Sequence, residues 1–343
     1  MNQTLSFNSG TRFNAIDSAK AIAIMAIITG HSMNANTIPF LPNVVNSFHV
    51  PAFFIIAGLF IHNAPFRQAA PKYAQRYVWP YFVTCILIFC RELILTFLKG
   101  EGGFADRLSE VGLKTLWGSG WQFNNLLFGD FPNIGAIWFL LALFWSELFF
   151  SSSLARFGLF KTAVLSAVVY CTGVVAVRYI FLPWSILPAM AAVLLLLVGH
   201  LIRKYDLLSR AYSLNGWIWT LLIAVCVANI LLNERISMVG AFMGFNAVGL
   251  FCCVVETVGI ICFCHRFHLS FKWIGQNTLY ILSAHLISMP IVGIIIDRTF
   301  THLSISSPYA FFFASLTLNI TLALALAWLM KRFNLLRFPR SGK

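Results

Sequence analysis

Lys20 and His31 lie eleven residues apart in one apolar run, "AIDSAKAIAIMAIITGHSMNA", Ala15 to Ala35. The run is long enough to span a bilayer, where ionisable side chains are costly and tend to be functional. Eleven residues are close to three helical turns, or roughly 16 Å of rise, which predicts one face with Lys20 near one membrane surface and His31 toward the other. Asp17, three residues before Lys20, shares that face. The next run, "SFHVPAFFIIAGLFI", travels back across the membrane and carries His49 about five residues below its outer end, at the depth of His31. Pro51 loosens the helix beside it. Two histidines at matched depth suit proton transfer near neutral pH. The structural alternative is an Asp17–Lys20 pair at the interface and histidines that merely hydrogen-bond within a bundle.

Further polar residues fall inside apolar runs: Arg91 and Glu92, Glu147, Glu256, Asn277 and His285. Arg91 is fifteen residues beyond Arg76, roughly 22 Å up a helix, so it either joins the histidines or turns outward beside Glu92. Glu147 is expected to hold a structural hydrogen bond or to pair with Arg156. Arg67, Lys72 and Arg76 form a cationic patch on a short loop, suited to phosphate but also to a topology signal. "CFCHRFH", Cys262 to His268, has ligand residue types without a zinc spacing, so no metal is expected.

These groups need a membrane scaffold. The chain has 343 residues, 59% hydrophobic and 10% charged, with mean hydropathy +0.81. Soluble domains carry about 25% charged residues. The net charge of +13 sits in short loops, which argues for topology signals and against nucleic acid as a partner. Ten apolar runs of spanning length are read: 15–35, 44–63, 77–98, 136–152, 160–180, 183–202, 215–233, 240–264, 274–296 and 307–330. The predicted fold is therefore an all-α polytopic bundle of about ten transmembrane helices. With the N-terminus inside, sixteen Lys and Arg fall on the inner side and six on the outer, which predicts both termini cytoplasmic. Residues 1–14 read as a tail, 15–331 as one transmembrane domain, 332–343 as a basic tail, and 99–135 as a long outer loop over an outward-facing site or at the interface. No cleavable signal is expected. The eight cysteines lie in or beside apolar runs, so no disulfide framework is expected.

The first run, with its basic residue, ten residues and then histidine, resembles the acyltransferase 3 family of integral membrane acyltransferases. "FHVPAFFIIAGLF", "RYVWPYF", "IWFLLALF" and "IGQNTLYILSAHLI" are similar to its later blocks, so the resemblance runs from residue 12 to about 290. The best match is to the sugar O-acetyltransferase branch, resembling fucose 4-O-acetylases and O-antigen acetylases. That resemblance implies transfer of an acetyl group from cytoplasmic acetyl-CoA, as co-substrate with no bound cofactor, to a hydroxyl of a lipid-linked or polymeric glycan. The expected location is a bacterial inner membrane, in contact with membrane lipid. His31 and His49 are the catalytic candidates, with His31 as base. Asp17, Lys20, Lys72 and Arg76 are assigned to the donor. Arg91, Trp138, Asn277 and His285 are assigned to the acceptor or oxyanion side, with His49, Asn277 and Trp138 all open as oxyanion donors. The rival function is a transporter or flippase of a glycan or small solute.

Overall fold

A lipid environment offers the backbone no partner but itself, and the apolar runs fold accordingly into helices. The computed structural model describes residues 11–33, 38, 40–99, 103–120, 124–125, 129–130, 132–232, 237–239 and 246–339. In chain order the helices are α1 (Thr11–Ser32), α2 (Leu41–Phe60), α3 (Phe66–Tyr73), a π-helical turn (Ala74–Val78), α4 (Trp79–Lys99), α5 (Phe104–Trp117), α6 (Trp138–Ala176), α7 (Ile186–Lys204), α8 (Leu207–Tyr212), α9 (Gly216–Leu232), α10 (Ala247–Arg266), α11 (Lys272–Gln276), α12 (Thr278–His302) and α13 (Pro308–Arg332). One two-residue antiparallel pair, Asn124–Asn125 with Gly129–Asp130, is the exception to an all-helical chain among the described residues.

Seven helical segments among the described residues are long and apolar enough to cross a membrane: Leu41–Phe60, Phe66–Leu98, Trp138–Ala176, Ile186–Lys204, Ala247–Arg266, Thr278–His302 and Pro308–Arg332. The ten apolar runs differ from these seven at three places. α1 carries Asp17 and Lys20 and is not among the seven. α9 is apolar but only 17 residues long. The runs 136–152 and 160–180 lie in the single 39-residue α6, which breaks at Gly158 (φ 72°, ψ 176°), a backbone conformation open to glycine.

α1 lies at the centre, packed against α2, α10, α11, α12 and α13, while α7 bridges α2 and α6. At the α2–α7 crossing, Gly58 and Gly199 meet. A Cβ on Gly58 would overlap the Leu196 carbonyl, and one on Gly199 would overlap the Ile55 carbonyl. Small residues let two backbones approach this closely.

Part of the segment read as a long loop is folded. α5 occupies residues 104–117, between Gly103 (φ 99°) and Gly118 (φ 63°). Glu110 accepts hydrogen bonds from Arg107 (3.0 Å) and Lys114 (2.6 Å), pairs at helical spacing that support α5. Its far end is tied down: Tyr81 donates to the Thr115 carbonyl (2.7 Å) and Ser185 to the Gly118 carbonyl (2.7 Å). Trp121 and most of residues 121–131 lie outside the described residues.

Candidate active site

Asp17, Lys20 and Arg76 gather at one end of the bundle. Lys20 Nζ is 2.7 Å from Asp17 Oδ1. Asp17 Oδ2 accepts from Gln276 Nε2 (3.0 Å), and Gly275 lies so close that a Cβ there would overlap the Asp17 carbonyl. Ser18 donates to the Leu269 carbonyl (2.8 Å) and accepts from the Phe271 amide (3.0 Å). The α10–α11–α12 connection is thereby laced to α1, with Lys20 held beside it.

Arg76 sits on the π-helical turn, an irregularity common at functional sites. Its partner is Glu147 of α6: Tyr77 donates to Glu147 Oε1, and Arg76 Nη1 is 3.8 Å from Oε2. Of the two expectations for Glu147, the structural hydrogen bond is present and the pair with Arg156 is not. Arg156 is exposed and lies over the Phe157 ring at 5.2 Å, because α3 and the π-helical turn bring Arg76 and Tyr77 to Glu147 first. Lys72 is exposed on α3, beside the site but not in its wall.

Lys20 and Arg76 both line a cavity of about 310 Å³. Its other walls are largely apolar, with Ile24, Ile27, Phe53, Phe139 and Leu282 among them. Ile27 lies one helical turn before His31, and Leu282 three residues before His285. The cavity therefore runs from two cations toward the histidines.

His31 faces open space, whereas His285 on α12 is fully buried. Their ring centroids are 5.5 Å apart, inclined at 41°. Neither ring nitrogen of His285 has a hydrogen-bond partner. His49 Nδ1 is 2.5 Å from the Val45 carbonyl, which can only accept, so Nδ1 carries the proton and Nε2 is left with its lone pair. The histidine whose ring meets that of His31 is thus His285, on a helix more than 250 residues away in sequence. Beside His31, Ser32 accepts from Asn319 of α13 (3.0 Å), which fixes this end of α1.

Arg91 neither joins the histidine rings nor turns outward. It pairs with Glu92, and its Nη1 donates to the carbonyls of Leu286 (2.7 Å) and Ile287 (3.4 Å). Pro290 has no N–H, so the Leu286 carbonyl four residues earlier has lost its helical donor. Arg91 replaces that donor and holds α12 directly after His285, which makes it a positioning residue. Arg91→Met is expected to lower turnover about 100-fold, since a small misplacement of reacting groups costs that much. The donor KM should stay unchanged. Steady-state kinetics on protein of wild-type monodispersity measures both; a raised donor KM with normal turnover would contradict this role.

Trp138 starts α6 and is buried, edge-on to Phe139, which in turn packs on Phe53 and Phe54 of α2. Asn277 lies at the other end from the histidines. It follows Gln276, donates to the Trp273 carbonyl (2.5 Å), and precedes His285 by eight residues, roughly 12 Å of helix. The N-terminus of α12, which carries it, is held beside Asp17 through Gln276.

Cys262 and Cys264 are buried, and His265 stacks on Tyr212 at 4.1 Å. No three His, Cys, Asp or Glu side chains converge as a metal site among the described residues. Glu256 lines a larger apolar cavity of about 720 Å³ between α2, α9 and α10. Its carboxyl oxygens have no hydrogen bond, the nearby Ser47 hydroxyl being engaged with the Val44 carbonyl (2.9 Å).

Gln276, Tyr77 and Gly275 are site-building residues that reading the chain did not single out. The only signal for them was their place in "IGQNTLY" and "RYVWPYF".

No curated protein and no solved structure matches this chain. The family model of the acyltransferase 3 domain matches residues 13–328, which takes in α1 with Lys20 and His31, the π-helical turn and α12 with His285. With that match over nearly the whole length, and seven helices able to cross a membrane, the chain belongs to the acyltransferase 3 family and is a multi-pass membrane acyltransferase.

Proposed function

We propose that the protein is an O-acetyltransferase that moves an acetyl group from cytoplasmic acetyl-CoA to a sugar hydroxyl of a cell-surface glycan, across a bacterial inner membrane. The observation that carries this reading is the cavity with Lys20 and Arg76 at one end and the His31–His285 pair beyond the other. A donor with an anionic nucleotide and a long, slim arm fits that shape, with its phosphates at Lys20, Arg76, Lys72 and Arg67 and its thioester at the histidines. The Lys20 end then faces the cytoplasm, both termini lie there, and the ten apolar runs make ten crossings.

In the reaction, His31 takes the proton of the sugar hydroxyl as its oxygen attacks the thioester carbonyl. An oxyanion forms on that carbonyl oxygen, and an N–H of His285 is the donor aimed from the facing helix. Collapse breaks the C–S bond, and the leaving thiolate takes the proton back from His31. The products are the sugar acetate and the free thiol, with no net proton released.

The test is acetyl transfer from labelled acetyl-CoA to envelope glycan in membranes. Lys20→Gln and Arg76→Gln should each raise the donor KM. Loss of one charge-assisted hydrogen bond costs about 1.5–3 kcal/mol, which corresponds to roughly 10- to 100-fold. Turnover at saturating donor should change far less. Glycan moving across the membrane with no acetyl-CoA consumed would instead indicate a transporter.

A further inference from the structure

Beyond α13 the chain turns back along the Lys20 end of the bundle through "FNLLRFP", residues 333–339. Asn334 is left-handed (φ 50°), a conformation asparagine tolerates. The Asn334 and Leu335 amides bond back to the Lys331 (3.0 Å) and Met330 (3.1 Å) carbonyls, which closes the helix. A turn follows, from the Arg337 amide to the Asn334 carbonyl (2.9 Å). Leu336 is then buried in the main core, and the Phe338 ring meets Trp79 edge-on at 5.2 Å. Arg337 lies between these two anchors. It is exposed, with no ion pair among the described residues.

This strap crosses from one wall of the donor cavity to another. α12 and α13 form a hairpin of two 25-residue helices, so the strap leaves α13 beside the start of α12. Thr278 and Leu279, at that start, line the cavity. The strap reaches Trp79, three residues beyond Arg76, which lines the cavity from its own side. We propose that the strap belongs to the donor site, and that Arg337 holds the 3′-phosphate on the ribose of acetyl-CoA. The proposal rests on the acetyl-CoA reading above and names a further residue for it.

Two arguments carry the assignment. No strap residue lines the channel itself, so Arg337 meets only the part of the donor that stays outside. With the slim arm in the channel and the pyrophosphate at Lys20 and Arg76, the anionic group left over is the 3′-phosphate, and a guanidinium suits it. A cation that merely marked one side of the membrane would also need no fixed place. Arg337 is instead held by a helix stop and two apolar anchors.

The experiment uses the full-length protein in lipid nanodiscs, with CoA and 3′-dephospho-CoA as probes and Kd read by titration calorimetry. The wild type should bind CoA about fivefold more tightly than dephospho-CoA, the scale of a part-exposed charge contact. Arg337→Gln should bring CoA down to the dephospho-CoA level and leave dephospho-CoA unchanged. Arg337→Lys should keep most of the preference, and Lys331→Gln, just before the strap, should keep all of it. A wild type that binds both probes equally, or an Arg337→Gln protein that keeps the preference, would overturn the role of the strap and leave CoA as the donor. Equal weakening of both probes by Arg337→Gln, or loss of the preference in Lys331→Gln, would overturn it too, since general surface charge would then account for the effect. If neither probe binds the wild type, the acetyl-CoA reading itself fails, and the assignment of Arg337 falls with it.

Discussion

His31→Ala is expected to reduce acyl transfer about 1000-fold, the middle of the range for a positioned general base. The protein should remain folded, because His31 faces open space and fills no packed volume. Acetyl transfer from labelled acetyl-CoA, measured in membranes holding equal amounts of wild type and variant, reads the effect. The donor KM should change little, since Lys20 and Arg76 lie three turns below. His285→Gln is the informative companion. It keeps a donor near His31, so it should retain more activity than His31→Ala. Equal loss from both would mean that the two rings act as one unit, and full activity in His31→Ala would transfer the base to His49 or His285.

The largest expected structural effect lies away from the chemistry, at the crossing of α2 and α7. Gly199→Leu places a side chain where the Ile55 carbonyl already sits, and Gly58 opposite has no room to yield. The clash is with backbone on both sides, so no rotamer relieves it. Overpacking usually costs about 1–3 kcal/mol, and a clash with backbone belongs at or above the top of that range. The expected result is a large fall in monodisperse protein on size-exclusion chromatography and a lowered unfolding temperature. Gly199→Ala should show the same effect in milder form. Because α2 also carries His49 and Phe53, any Gly199 variant that survives should lose turnover as well. A Gly199→Leu protein with wild-type stability would mean that α2 and α7 do not cross as described.

These two predictions act on one design. α1 brings Lys20 to one end and His31 to the other, and neighbouring helices complete both ends. Gln276 and Gly275 fix the Lys20 end. Asn319 and the neighbouring His285 define the other. In the proposed reaction, the acyl carrier and the acceptor would approach one thioester from opposite sides, with the low-dielectric walls excluding water from the step.

Much of this was legible in the chain itself, wherever the cause is local. The helical character of the apolar runs follows from their length and from the backbone's need for internal partners. The shared face of Asp17, Lys20 and His31 follows from helical period alone, and the Asp17–Lys20 pair is present at 2.7 Å. Other features depend on helices distant in sequence and could not be read there. Which histidine meets His31 was decided by the packing of α12 on α1. The role of Arg91 needed α4 to approach a carbonyl 195 residues away that Pro290 had freed. Glu147 found Tyr77 and Arg76 instead of its neighbour Arg156, and Asn277 fell at the Asp17 end because a short helix, α11, is clamped to Asp17. Local spacing sets which groups share a helix face; only the three-dimensional packing of those faces sets which groups touch.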